Sequence, residues 1–283
     1  MPIVQSRKMS HIALNVTDVE RQLAFYTEMA GFSLTAVDDR GNAYLRCNTQ
    51  HHSVMLIPSS ESGVDHIALS VGGAAELDAA ASALARAGIS HDTSPPEKGQ
   101  GPAVRLRDPD GIVVELVGEL EQAPAVYGPR AVQPRKFGHV TIHAKDIRQS
   151  MAFYEEVLGF RASDWLGDLL AWARCNPDHH GMAFVNVGKR GLHHFAMEVR
   201  DIGELVQQSE HLARNGRRVV FGPGRHGPGD NLFIYFRDLE ANLVEFTCDV
   251  QQIWNDATHV AKSWQFDESP VNLWGPEPPA DFL

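Results

Sequence analysis

Gly138-His139-Val140-Thr141-Ile142, followed by Met151-Ala152-Phe153-Tyr154-Glu155-Glu156, restates Ser10-His11-Ile12-Ala13-Leu14 and Leu23-Ala24-Phe25-Tyr26-Thr27-Glu28 at a shift of 128 residues. The same shift carries Cys47, His51, His52 and His66 onto Cys175, His179, His180 and His194. A glutamate closes each series, Glu115 in the first copy and Glu245 in the second. Residues 11–16 alternate in polarity and read as a strand. Asp18 is placed to cap a helix in which Val19, Leu23, Phe25, Tyr26 and Met29 recur at helical spacing, and Gly31 stops it.

Outward from this unit, short strand-like runs fall at residues 33–37, 43–47 and 53–57. The pattern then restarts with a strand at 65–71, an Ala-rich helix at 74–86, a stop at Gly88 and further strands. Asp108-Pro109-Asp110-Gly111 is a turn signal between strands at 103–107 and 112–117. Both units recur after residue 136. The expected fold class is therefore α+β, with four βαβββ modules paired into two domains, each a curved mixed sheet enclosing a cavity. The expected divisions are 1–120, a linker at 121–136 rich in Pro and Gly (Pro124, Gly128, Pro129, Pro134), a catalytic pair at 137–250, and a tail or lid at 251–283.

Composition narrows the function. A net charge of -11 repels phosphate backbones and anionic lipid, so neither nucleic acid nor a membrane surface is an expected partner. No apolar run approaches a membrane span, and residues 1–8 carry no apolar signal core. Three cysteines are too few for a disulfide framework, so a cytoplasmic location is expected.

Two histidines and one carboxylate per copy match one face of a non-haem Fe(II) site that keeps coordination positions open. His139 and His194 sit early in the first strands of two equivalent modules, and Glu245 lies on the last strand of its own. Strand-mounted ligands are held rigidly. His193 adjoins His194, and strand alternation places the two on opposite faces.

The pieces Gly138-His139-Val140-Thr141-Ile142, Gly191-Leu192-His193-His194-Phe195-Ala196-Met197-Glu198-Val199, and the run from Gly224-Arg225-His226 through Tyr235 to Glu245-Phe246 resemble the vicinal oxygen chelate superfamily. Within it they resemble the two-domain type I extradiol catechol dioxygenases, over roughly residues 8–250. The resemblance implies His139, His194 and Glu245 as ligands of Fe(II), with Mn(II) as the alternative ion and O2 as co-substrate. It implies His180 as the acid–base histidine, with Tyr235 and His226 beside the substrate. Trp172, Asn231, Phe221 and His193 are weaker pocket candidates. The implied reaction inserts O2 next to the diol of a small aromatic diol, giving a muconic semialdehyde-type product. The resemblance and the aromatic tail together imply a homo-oligomer.

Both copies carry a ligand set, so their surroundings must choose between them. Counting back 10 and 19 residues from Glu245 gives Tyr235 and His226, whereas the same counts from Glu115 give Arg105 and Pro96. Trp172 becomes Tyr44. The C-terminal half is the expected active half, and metal binding by His11, His66 and Glu115 stays open. Two departures from the family bear on substrate and fold. Phe221 stands where carboxylated-catechol enzymes have an arginine, and the second-half turn reads Asp238-Leu239-Glu240-Ala241-Asn242, with Asn242 expected to take the left-handed position. The alternatives are a keto-acid-type dioxygenase, a glyoxalase-like metalloenzyme, and a non-enzymatic binding protein on the same fold.

Overall fold

The computed structural model describes residues 1–125 and 132–282. Residues 126–131 of the expected linker, including Gly128 and Pro129, lie outside the described residues. The first module is β1 (Lys8–Val16), α1 (Val19–Glu28), β2 (Ser33–Val37), β3 (Ala43–Arg46) and β4 (Val54–Pro58). The second is β5 (Gly63–Ser70), α2 (Ala74–Arg86), β6 (Asp92–Ser94), β7 (Ala103–Arg107) and β8 (Val113–Val117). The third is β9 (Lys136–His143), α3 (Ile147–Glu156), β10 (Arg161–Leu166), β11 (Leu170–Arg174) and β12 (Met182–Val185). The fourth is β13 (Gly191–Glu198), α4 (Ile202–Arg214), β14 (Phe221–Arg225), β15 (Leu232–Arg237) and β16 (Leu243–Cys248), and the tail adds β17 (Lys262–Ser263).

The strands form two mixed sheets, β2-β3-β4-β1-β5-β8-β7-β6 and β14-β15-β16-β13-β9-β12-β11-β10-β17. Each has an antiparallel pair at its centre, β1 with β5 or β9 with β13, flanked on both sides by parallel neighbours. The α+β architecture of repeated modules is thus the one the sequence repeat implies.

Local chemistry explains where the helices begin. The Asp18 carboxylate accepts from the Arg21 N–H, Asp146 from Arg148 and Gln149, and Asp201 from Glu204. Each satisfies amides that a helix start leaves without partners. The buried faces of these helices meet a largely continuous core in which Tyr26, Phe32, Tyr154, Phe184, Phe195 and Phe246 are wholly or almost wholly enclosed. Burying one such side chain stabilises the fold by about 1.5–3 kcal/mol.

The halves grip each other through a reciprocal pair of contacts. Tyr26 Oη in α1 donates to Asp238 at 2.8 Å, and Tyr154 Oη in α3 donates to Asp108 at 3.3 Å. Each aspartate belongs to a β-turn of the opposite half. The second turn differs from the sequence expectation. Ala241, with φ of 66°, takes the left-handed position that Gly111 holds at 88° in the first half. Asn242 instead donates its side-chain amide to Asp238 at 2.8 Å, so its contribution is a hydrogen bond and not backbone freedom.

Candidate metal centre and active site

Sheet register builds the centre. Ala196 on β13 pairs with His139 on β9 on one side and with Glu245 on β16 on the other. Side chains in one row of a sheet share a face, and His194, two residues before Ala196, lies on that face as well. The small methyl of Ala196 leaves the space above it to its neighbours. His139 Nε2 and His194 Nε2 are 3.2 Å apart, and Glu245 Oε2 lies 3.1 Å from the first and 3.2 Å from the second. All three residues are buried.

A triangle with these edges has points about 2 Å from every corner, the bond length of a divalent first-row ion to nitrogen and oxygen donors. The tautomers agree with that use. His193 Nε2 donates to the Phe282 carbonyl at 2.6 Å, which leaves His193 Nδ1 bare to accept from His194 Nδ1–H, also at 2.6 Å. His194 Nε2 therefore keeps its lone pair for an ion. Burial pushes His194 down to about 4 against the opposing pull of Glu245. Burial alone would raise Glu245, but His139 and His194 hold it well below the usual carboxylate range. A His/His/carboxylate set fits Fe(II) or Mn(II).

Around the triad lies a cavity lined by Thr141, Leu170, Trp172, His180, Val185 and His226 among others, with Tyr235 beside Glu245. The His180 ring stands 4.2 Å from the His139 ring, centroid to centroid. Burial, then His139 and His179, lower its pKa well below the usual imidazole value, so it is neutral at neutral pH. Tyr235 Oη donates to Glu245 Oε2 at 2.7 Å, and His226 Nε2 lies 3.1 Å from the same hydroxyl. His226 Nδ1 donates to the Val271 carbonyl at 2.6 Å.

His139, His194, Glu245, His180, His226, Tyr235 and Trp172 are thus brought to one cavity. Asn231 and Phe221 are not among the lining residues. Asn231 donates to the far oxygen of Glu245 at 3.2 Å and to Thr247 at 2.7 Å, behind the cavity wall. Phe221 stacks behind Tyr235. His193 departs from simple alternation. A register shift between Leu192 and His194 on β13 turns its ring to the same cavity as His194.

Sequence reasoning missed Thr141, whose Oγ1 lies 3.0 Å from His194 Nε2, although period-2 alternation from His139 was signal enough. It assigned the tail no individual residues. Pro270, Val271 and Phe282 nonetheless line the cavity.

The N-terminal triad differs in one decisive way. His11, His66 and Glu115 also converge and are buried, with Nε2 atoms 3.2 Å apart. Arg105, at the position matching Tyr235, directs Nε and a terminal nitrogen to Glu115 Oε1, both at 2.7 Å, and Gln100 donates to Oε2 at 2.9 Å. A guanidinium already neutralises this carboxylate.

The model of the Glyoxalase/Bleomycin resistance protein/Dioxygenase superfamily matches residues 8–116 and 136–246. The chain belongs to this superfamily. Among its superfamily relatives, Metapyrocatechase 2 of Cupriavidus necator is 28% identical over 66% of this chain and 65% of its own length. A manganese-dependent 2,3-dihydroxybiphenyl 1,2-dioxygenase of Geobacillus genomosp. 3 is 27% identical over 82% of this chain and 81% of its own. Among solved structures, a Mn(II)-bound glyoxalase from Novosphingobium aromaticivorans superposes with a TM-score of 0.88 at 27% identity, covering 97% of this chain and 93% of that one. Homoprotocatechuate 2,3-dioxygenase from Arthrobacter globiformis, at 23% identity and a TM-score of 0.91 over 100% of this chain and 92% of that one, shares the superfamily fold.

Proposed function

We propose that this chain is an extradiol ring-cleaving dioxygenase that uses Fe(II) or Mn(II) and O2 to open a catechol-type aromatic diol beside its hydroxyls. The observation that carries the reading is the union of a His139/His194/Glu245 face with neutral His180 and the Tyr235–His226 pair in one cavity. When bound, the metal supplies open positions and positive charge that hold diol and O2 together and ease loss of a hydroxyl proton.

The chain's own groups do the rest. His180 takes the diol proton at its ring nitrogen and later returns it, as a neutral imidazole next to the reacting oxygens is suited to do. Tyr235 and His226 orient the diol oxygens by hydrogen bonding. Leu170, Trp172, Val185 and Val271 enclose the ring and exclude water. No Lys or Arg lines the cavity among the described residues, which favours an uncharged ring substituent over a carboxylate.

The glyoxalase neighbour keeps an isomerase reading in view, and oxygen separates the two. Elemental analysis followed by oxygen uptake with catechol, 3-methylcatechol and 2,3-dihydroxybiphenyl is the test. Stoichiometric uptake with a yellow product is expected; a metal-loaded protein that consumes no O2 with any diol overturns the proposal.

Among the described residues no helix is long and apolar enough to cross a membrane. Three free, buried cysteines support a cytoplasmic setting, and exposed Trp254, Phe266 and Trp274 support association between copies of the chain.

A further inference from the structure

The His179-His180 pair has an inner partner that the reaction described above does not use. His179 Nδ1 lies 3.1 Å from His180 Nδ1, and the other nitrogen of His179, Nε2, lies 3.3 Å from Asp164 Oδ2. His179 is wholly buried and Asp164 nearly so. His179 Nε2 makes no hydrogen bond of good geometry among the described residues, and the Asp164 carboxylate is the acceptor within its reach. Asp164 is itself fixed from the tail. Trp264 Nε1–H donates to Oδ2 at 2.7 Å and the Lys262 N–H donates to Oδ1 at 2.9 Å. These bonds, with His179, keep Asp164 ionised despite its burial. Gly229 packs so close that a Cβ there would come within 3.0 Å of His179 Nδ1, which holds the ring in place.

An ionised carboxylate decides the tautomers along this row. If His179 carried its proton on Nδ1, the bare Nε2 would face a carboxylate oxygen, acceptor against acceptor. The favourable arrangement puts the proton on His179 Nε2, leaves Nδ1 bare, and requires His180 to donate from its own Nδ1. His180 Nε2 then has its lone pair free, on a ring that lines the cavity.

We propose that Asp164 and His179 are positioning residues that fix His180 as a proton acceptor through its Nε2. The proposal rests on the reading of His180 as the group that takes the diol proton. When that proton moves from the substrate hydroxyl to His180 Nε2, the imidazolium keeps its Nδ1–H bond to His179, and the Asp164 charge stabilises it through the intervening ring. Carboxylate orientation of a catalytic imidazole follows the same physics in hydrolytic triads.

The duplicated half supplies an internal comparison. His51 Nδ1 and His52 Nδ1 are also paired, at 3.0 Å, and β2 carries the same register shift as β10. The position matching Asp164 is Ala36. The inherited His–His pair thus gains a carboxylate only in the half that has the cavity and the unblocked glutamate.

The test is a double-mutant cycle on the metal-loaded full chain. Asp164→Asn, chosen for shape, and Asp164→Ala are each made in the native background and in His180→Phe. In the native background kcat is expected to fall about 10- to 100-fold, with KM and bound metal unchanged. In His180→Phe the same substitutions are expected to cost nothing further. An unchanged kcat, or an equal fall in both backgrounds, overturns the proposal. A native protein that cleaves no catechol defeats the reading of the reaction instead. The positioning is then read by imidazole nitrogen NMR on the zinc-loaded chain. His180 protonated at Nδ1, and no longer so in Asp164→Asn, is the expected result; protonation at Nε2 in the native chain overturns the proposal.

Discussion

His193 donates through Nε2 to the main-chain carbonyl of Phe282 at 2.6 Å, and so ties the tautomer of ligand His194 to a residue of the tail, 89 positions further along. The tail therefore reaches the centre through this bond as well as lining the cavity. The partners that orient a ligand imidazole raise its basicity and fix its aim. His193→Ala should weaken metal binding about 10- to 100-fold, measured by competition with a chelator, while the melting temperature stays near that of the native protein. Native metal affinity in this variant would remove His193 from the support of the site.

His180→Phe should keep the metal, since the triad is untouched, and lower kcat by about 10²- to 10⁴-fold, the range a general acid–base group supplies. Elemental analysis and steady-state oxygen uptake check both halves of this statement. Turnover at the native rate would take His180 out of the reaction.

Metal content should be one ion per chain. Arg105 holds Glu115 Oε1 at 2.7 Å through two nitrogens and Gln100 holds the other oxygen, so an ion at His11 and His66 would have to displace a paired, buried carboxylate. His194→Ala should lose the ion, and His66→Ala should retain it. Two ions per native chain would show that Arg105 does not close the site.

Asp108 gives a pH signature of the interface between the halves. Its burial, which outweighs its backbone hydrogen bonds, pushes it up to about 6 from 3.8. A carboxyl raised in the folded state binds its proton more tightly there than when unfolded. Folding is therefore favoured below about pH 4, and that advantage is lost as pH rises to about 6. The native protein should lose up to about 3 kcal/mol relative to Asp108→Asn across this window, at 1.36 kcal/mol per pKa unit. Urea denaturation at pH 4.5 and 7 compares the two. A constant difference would assign Asp108 an ordinary pKa.

Much of the centre is legible in the sequence because the sheet is a regular device. Period-2 alternation and duplication of the module suffice to place His139, His194 and Glu245 on strands that meet, and the resemblance to extradiol dioxygenases points to Tyr235 and His226. The misplacements occur where regularity breaks. The shift at Leu192/His194 overrides alternation at His193, and the left-handed turn position falls to Ala241 although Asn242 has the better intrinsic tolerance.

The amino-acid order alone determined the duplicated modules, the ligand triad and the loss of Tyr235's counterpart in the first half, because each is written in spacings along one strand or between equivalent strands. Which groups stand behind those residues was decided only by folding. Asp164 reaches His179 and Phe282 reaches His193 across distances in sequence that carry no period. Hydrogen-bond partners of a buried ring are chosen by whichever backbone or side chain the packed sheets bring within about 3 Å, and local pattern has no access to that choice.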